Sequence, residues 1–146
     1  MCGRIVQKSP QAEYVETIFA NLGLIFDGAL APRYNIPPGT RVLVLHRLGG
    51  SPAVDHLWWG YGPPWWRRQP VINARIDTLL RGSPMWRPLL VRRVIVPANG
   101  WFEWTPEDAA LELLTVARPE SAFQWHRVSK RMNSARYQLP DALAPI

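Results

Sequence analysis

The 146-residue chain has one cysteine, Cys2. A single thiol excludes every disulfide within the molecule. With three scattered histidines it also gives no ligand spacing for a zinc or other catalytic metal site. Long apolar runs are missing as well, and none approaches the roughly 18–20 residues that span a bilayer. The start of the chain lacks the basic-then-apolar layout of a secretion signal. Lysine is nearly absent: among 17 basic residues, only Lys8 and Lys130 are lysines. These absences predict a cytoplasmic protein without metal, cofactor or membrane association.

What is present bounds the class further. The length suits one domain, here 1–146, with room for a real core. Apolar residues make up 47% and aromatics 11%, which argues against disorder. The net charge of +6 points to a polyanionic partner. Arginine's planar fork suits bidentate phosphate contact and stacking, although codon usage in a GC-rich genome gives the same arginine bias. Eight tryptophans beside these arginines match the stacking platforms and phosphate contacts used on single strands, and tryptophans also build cores.

Along the chain, Gly3 to Gln7 reads as a strand. A helix follows, with Ser9 as N-cap and Pro10 at its first position. Val15, Ile18, Phe19 and Leu22 form its apolar stripe and Gly23 ends it. Ala31 to Thr40 is Pro-rich and predicts an ordered loop or turn rather than a helix. Arg41 to Arg47 and Val54 to Tyr61 read as strands around Gly49-Gly50. Pro63 to Arg68 reads as a loop, Val71 to Arg75 as an extended piece, and Asp77 to Leu80 as a brief helix. Arg93 to Pro97 and Trp101 to Trp104 read as strands around Ala98-Asn99-Gly100. Leu111 to Ala117 and Phe123 to Val128 are further strand candidates, and the tail from Ser129 reads as polar and irregular.

Cys2 carries the most distinctive chemistry. Loss of Met1 would place its thiol and a free amine on neighbouring atoms, with unperturbed pKa values of about 8.5 and about 7.7–8.0. An aldehyde can condense with the amine as a Schiff base, after which the thiol closes a five-membered thiazolidine. Three further clusters stand out: Asn35 to Gly39, Asn73-Ala74-Arg75, and Gly100 to Trp104. An Asn before an Arg is a common turn, and a Glu between aromatics is usually a solvent-facing strand residue. On a strand, Phe102 and Trp104 face opposite to Glu103. If the Glu103 side is a cleft, burial raises its pKa and suits it to acid–base work.

Taken in order, the clusters resemble the SRAP (SOS-response-associated peptidase) family, whose members crosslink to abasic sites in single-stranded DNA. The matching pieces are Met1 to Arg4, Arg33-Tyr34-Asn35 with Pro38-Gly39, Trp59-Gly60 through Pro64-Trp65-Trp66, Ile72 to Thr78, and Val96 to Trp104. His126 to Ser129 resembles the family's last segment. The resemblance implies an α+β fold of mostly antiparallel strands in a partly open, barrel-like sheet with few helices. It implies Cys2 as nucleophile toward a ring-opened abasic deoxyribose, Asn73 holding substrate or Cys2, and Glu103 shuttling protons. Arg4 and Arg75 would contact phosphates, with Arg81 near a further phosphate-binding arginine. Trp65 and Trp66 would stack on or wedge beside bases, and Pro38 would line the same surface. Asp77 stands where the family usually has Glu.

After Trp104 the resemblance breaks. The family's His-x-Arg-Met-Pro motif, its catalytic histidine and several dozen residues are absent. His46 and His56 sit in strands upstream as structural or exposed residues, and His126 belongs to the later segment. Lost strands would expose sheet edges and apolar surface. A missing acid–base group costs about 10²–10⁴-fold in rate. The leading expectation is covalent capture of abasic sites in single-stranded DNA by a monomer, nucleoid-associated when bound. The alternatives are a noncatalytic single-stranded-DNA-binding remnant and a cysteine-type peptidase, for which Cys2 has no matched His and Asn partners.

Overall fold

The computed structural model describes residues 3–20, 30–104, 124 and 126–146. Strand β1 (Arg4–Gln7) is followed by helix α1 (Gln11–Phe19), β2 (Arg33–Ile36), β3 (Arg41–His46) and β4 (Ala53–Trp58). Helix α2 (Ile76–Leu80), β5 (Val94–Ile95) and β6 (Gly100–Phe102) come next. The strands form two antiparallel three-stranded sheets, ordered β2-β1-β6 and β4-β3-β5. This is the expected small α+β fold, and among the described residues the two sheets do not close into a barrel. Among the described residues no helix is long and apolar enough to cross a membrane.

The alternation of β1 decides how the sheets meet. Ile5 packs with Ile36, Val42 and Val44, joined at the edge by Leu57 and Trp59. Val6 faces the other way, onto Phe102, Met132 and Ala142. Successive strand residues point to opposite faces, so β1 feeds two cores at once. Gln7 is fully buried on the Ile5 side, and its amide pairs with Leu43 of β3 and with the Pro97 carbonyl.

Four expectations change. The helix starts at Gln11, because Pro10 is extended (ψ 147°) and Ser9 does not cap it. Ser9 Oγ instead donates to Glu13 Oε1 at 3.0 Å and accepts from Asn99 Nδ2 at 2.9 Å. Within the Pro-rich stretch, Arg33–Ile36 is a strand rather than a loop. Pro32 and Pro37 bracket it, leaving four residues whose amides can pair with β1. The strands flanking Ala98-Asn99-Gly100 do not form a hairpin, since β5 pairs with β3 and β6 pairs with β1. Pro97 has no N–H to donate, and Asn99 N–H binds the Val6 carbonyl at 2.9 Å, so the chain leaves one sheet for the other there.

The fourth change is the tail. Its form is irregular, as read, but it is not only polar: 3₁₀ turns at Lys130–Asn133 and Pro140–Leu143 bury Met132 and Ala142 against Val6 and Phe102. Val128 bridges to Pro145, while the neighbouring Gln124, His126 and Arg127 are not in a strand. The proposed helix end at Leu22-Gly23 and the strand at Leu111 to Ala117 lie outside the described residues. So do Phe123 and Trp125.

Candidate nucleic-acid interface

The site residues named from sequence fall into two groups, while Cys2 lies outside the described residues. The first group sits where β1 meets β6. Arg4 pairs across the strands with Phe102, which places it next to Glu103 and Trp104. Its guanidinium lies 5.6 Å from the Trp104 ring centroid, a cation–π distance. Nη1 donates to Asn35 Oδ1 at 2.9 Å, and Nη2 donates to the Asn133 carbonyl at 3.3 Å. Partial burial lowers the guanidinium's pKa, and it remains a cation at neutral pH. Trp104 Nε1–H donates to Asn133 Oδ1 at 2.8 Å, which fixes the ring under Arg4.

Phe102 and Trp104 both turn toward the 130–133 turn, as alternation along a strand requires. Strand β6 ends at Phe102, and Glu103 is exposed.

The second group follows β4. Gly60, at φ +136°, turns the chain into a loop whose neck is the antiparallel pair Tyr61 and Val71. Their backbones exchange hydrogen bonds of 2.9 and 2.7 Å. Inside the loop, Trp66 packs on Gly62, donates from Nε1 to the Gln69 carbonyl at 2.9 Å, and lies 5.9 Å from the Arg68 guanidinium. Trp65 meets Trp66 edge-on at 6.0 Å and is 60% exposed. Beyond the neck, Pro70, Val71, Ile72 and Asn73 line an open groove, with Asn73 half-buried.

Arg75 and Arg81 share one carboxylate. Arg75 Nε reaches Asp77 Oδ1 at 3.0 Å, and Arg81 Nη2 reaches Asp77 Oδ2 at 3.4 Å. The Arg75 hydrogen bond holds the Asp77 carboxyl below the usual carboxylate range. The side chains of Arg75 and Arg81 are 82% and 80% exposed, so both present charge to solvent. Pro38 is half-buried in the β2–β3 turn. That turn is closed by Gly39 N–H on the Trp59 carbonyl at 2.9 Å and by Thr40 Oγ1–H on the Pro37 carbonyl at 2.7 Å.

The family model described as "SOS response associated peptidase (SRAP)" matches residues 1–112. The chain belongs to the SRAP family. It is 38% identical over 110 residues to the abasic site processing protein YedK of Escherichia coli (strain K12), covering 73% of this chain and 49% of that protein. It is 32% identical over 112 residues to the abasic site processing protein YoqW of Bacillus subtilis (strain 168), covering 74% and 50%. Among solved structures it resembles the crystal structure of a phage-related protein from Bordetella bronchiseptica. That likeness has a TM-score of 0.64 at 43% identity, over 73% of this chain and 49% of the other. The chain thus spans about half the length of the SRAP relatives it matches.

Sequence reasoning missed several polar residues that hold this SRAP chain in place. Asn35 was visible in the Arg33-Tyr34-Asn35 motif but given no role, and it is fully buried against Arg4. Its signal was an amide standing before an apolar residue in a short strand-length piece between prolines. Asn99 accepts at Oδ1 from the Lys8 and Ser9 amides, at 2.8 and 3.3 Å, and from the Tyr14 hydroxyl. Gln138 was also missed, because its partners on β2, Tyr34 and Asn35, lie more than 100 residues away.

Proposed function

We propose that this protein captures abasic sites in single-stranded DNA, with Cys2 forming the covalent link, as part of a response to DNA damage. The observation that carries this reading is the family match across residues 1–112, with relatives named abasic site processing proteins. The chemistry fits that assignment. An abasic site in its ring-opened form is an aldehyde. The α-amine of an N-terminal Cys2 attacks the carbonyl carbon, and water leaves as the imine forms. The thiol then adds to the imine carbon, and its proton passes to nitrogen, giving a thiazolidine with no redox change. Glu103 serves as the proton shuttle for the loss of water, and Asn73 orients the sugar or the thiol by its amide.

The arginines have a separate role. Arg75 and Arg81 contact phosphates flanking the lesion, Arg4 contacts another from the β1–β6 end, and Trp65 and Trp66 stack beside exposed bases. Pro38 lines the same surface. The test is incubation of the purified chain with single-stranded DNA carrying one abasic site. The expected result is a heat-stable adduct with the wild-type protein and none with Cys2→Ala. Equal behaviour of the two proteins would reject covalent capture through Cys2.

One observation favours a second reading. The chain covers about half of its relatives, and the His-x-Arg-Met-Pro motif expected from the family is absent from its sequence. On this reading the protein binds single-stranded DNA without reacting. It predicts salt-sensitive binding, no adduct, and loss of binding on changing Trp65, Trp66 or Arg75.

A further inference from the structure

The segment beyond residue 112 lies outside the family match, yet it touches the site. Asn35 is where the two meet. Its Oδ1 accepts from Arg4 Nη1 at 2.9 Å, while its Nδ2 donates to the carbonyls of Met132 at 2.7 Å and Ser134 at 3.0 Å. Arg4 Nη1 also reaches the Met132 carbonyl at 3.4 Å, and Nη2 reaches that of Asn133 at 3.3 Å.

The same segment is fastened independently to β2. Gln138 Oε1 accepts from the Tyr34 and Asn35 amides at 3.2 and 3.1 Å, and Nε2 donates to the Asn35 carbonyl at 2.6 Å. The Gln138 side chain thereby occupies the edge of β2 as another strand would.

We propose that Asn35 and the 132–138 segment are a positioning device for Arg4, setting its guanidinium for a phosphate of bound single-stranded DNA. The inference rests on the phosphate role given to Arg4 above. Asn35 itself touches no substrate. An unheld arginine spends rotamer freedom on binding, whereas one already fixed by the Asn35 amide, backbone carbonyls and a tryptophan ring loses little. The consequence is that residues outside the family match belong to the working site.

The experiment is salt-dependent binding of the full chain to an oligothymidine without abasic sites, so that no covalent step contributes. One phosphate contact on a single strand adds about 0.7 to the slope of log affinity against log salt. Arg4→Ala is expected to lower the slope by that amount, Asn35→Ala to lower it equally, and the double variant to lower it no further. Thermal melting is recorded alongside, because a merely structural loss lowers the melting temperature without changing the slope. A folded Asn35→Ala protein with the wild-type slope, or a double variant with additive losses, overturns the proposal. If Asn35→Ala does not fold, Asn133→Ala decides. Asn133 is exposed, and removing its side chain frees the Trp104 ring beneath Arg4, so the slope should fall and an unchanged slope overturns the proposal. If Arg4→Ala itself leaves the slope unchanged, the phosphate role of Arg4 has failed and the inference fails with it. Adduct formation on abasic DNA, measured separately, shows whether covalent capture stands.

Discussion

The side-chain amide of Gln7 stands in for a strand at Leu43: Nε2 donates to the Leu43 carbonyl and Oε1 accepts from its amide, both at 3.0 Å. Nε2 also reaches the Pro97 carbonyl at 2.8 Å. One buried amide thus ties β1 to the centre of the other sheet and to the crossing between β5 and β6. Gln7→Ala strands these backbone groups, and each unsatisfied buried group costs about 1–3 kcal/mol, so a loss of about 3 kcal/mol is expected. Urea denaturation followed by tryptophan fluorescence measures it. A loss below about 1 kcal/mol would mean that the sheets are joined by apolar packing instead.

Gly60 sets the direction in which the tryptophan loop leaves β4. Its φ of +136° suits glycine, and a Cβ there would stand 3.1 Å from the Cβ of Pro70. Gly60→Ala meets both a backbone penalty and a neighbour on the loop's return limb, for a cost of about 1–3 kcal/mol. The strain falls on the Tyr61–Val71 neck, so amide exchange at Tyr61 and Val71 should quicken more than at Leu43. Uniform exchange across all three would show that the loop direction does not depend on this glycine.

How far the sequence could be read follows from where the partners lie. Strands β3 and β4 were legible because their apolar runs are local and the turn at Gly49-Gly50 is explicit; Gly50 N–H closes it on the Arg47 carbonyl at 3.0 Å. The tryptophan loop and the α2 region were legible for the same reason. The strand β2 was hidden among prolines, since its pairing with β1 is a tertiary fact that propensity does not encode. The tail was misread because its polar letters conceal Met132 and Ala142, whose burial depends on Val6 and Phe102 far upstream. Arg4 was named as a phosphate contact from the motif alone, but its hold on Asn35 and the 132–133 carbonyls spans most of the chain.

Asp77 gives a pH dependence with a definite sign. The hydrogen bond from Arg75 depresses its carboxyl pKa in the folded protein. A depressed carboxyl favours the folded arrangement above its unfolded pKa, and that contribution is lost as pH falls through the lower folded value. In a carbon NMR titration the Asp77 carboxyl should titrate below the ordinary aspartate range, with Arg75→Ala returning it toward that range. An unchanged midpoint in Arg75→Ala would assign the shift to something other than this pair. Asp77→Asn removes the negative charge between Arg75 and Arg81, and single-stranded DNA affinity at low salt should rise.

Trp65 and Trp66 are adjacent, yet their substitutions should separate. Trp65 is mostly exposed and meets Trp66 only by its edge, so Trp65→Ala removes a stacking surface and leaves the loop intact. Base–aromatic stacking is worth about 1–3 kcal/mol per base, so affinity for single-stranded DNA should fall by about 5–150-fold. Trp66 also packs on Gly62 and anchors the Gln69 carbonyl. Trp66→Ala should therefore lower affinity and also loosen the loop, seen as faster exchange at Tyr61 and Val71. Fluorescence anisotropy at one fixed salt concentration measures the affinities, and hydrogen exchange measures the loop. If Trp65→Ala binds as wild type, the exposed ring is not a stacking platform and the interface must rest on the arginines.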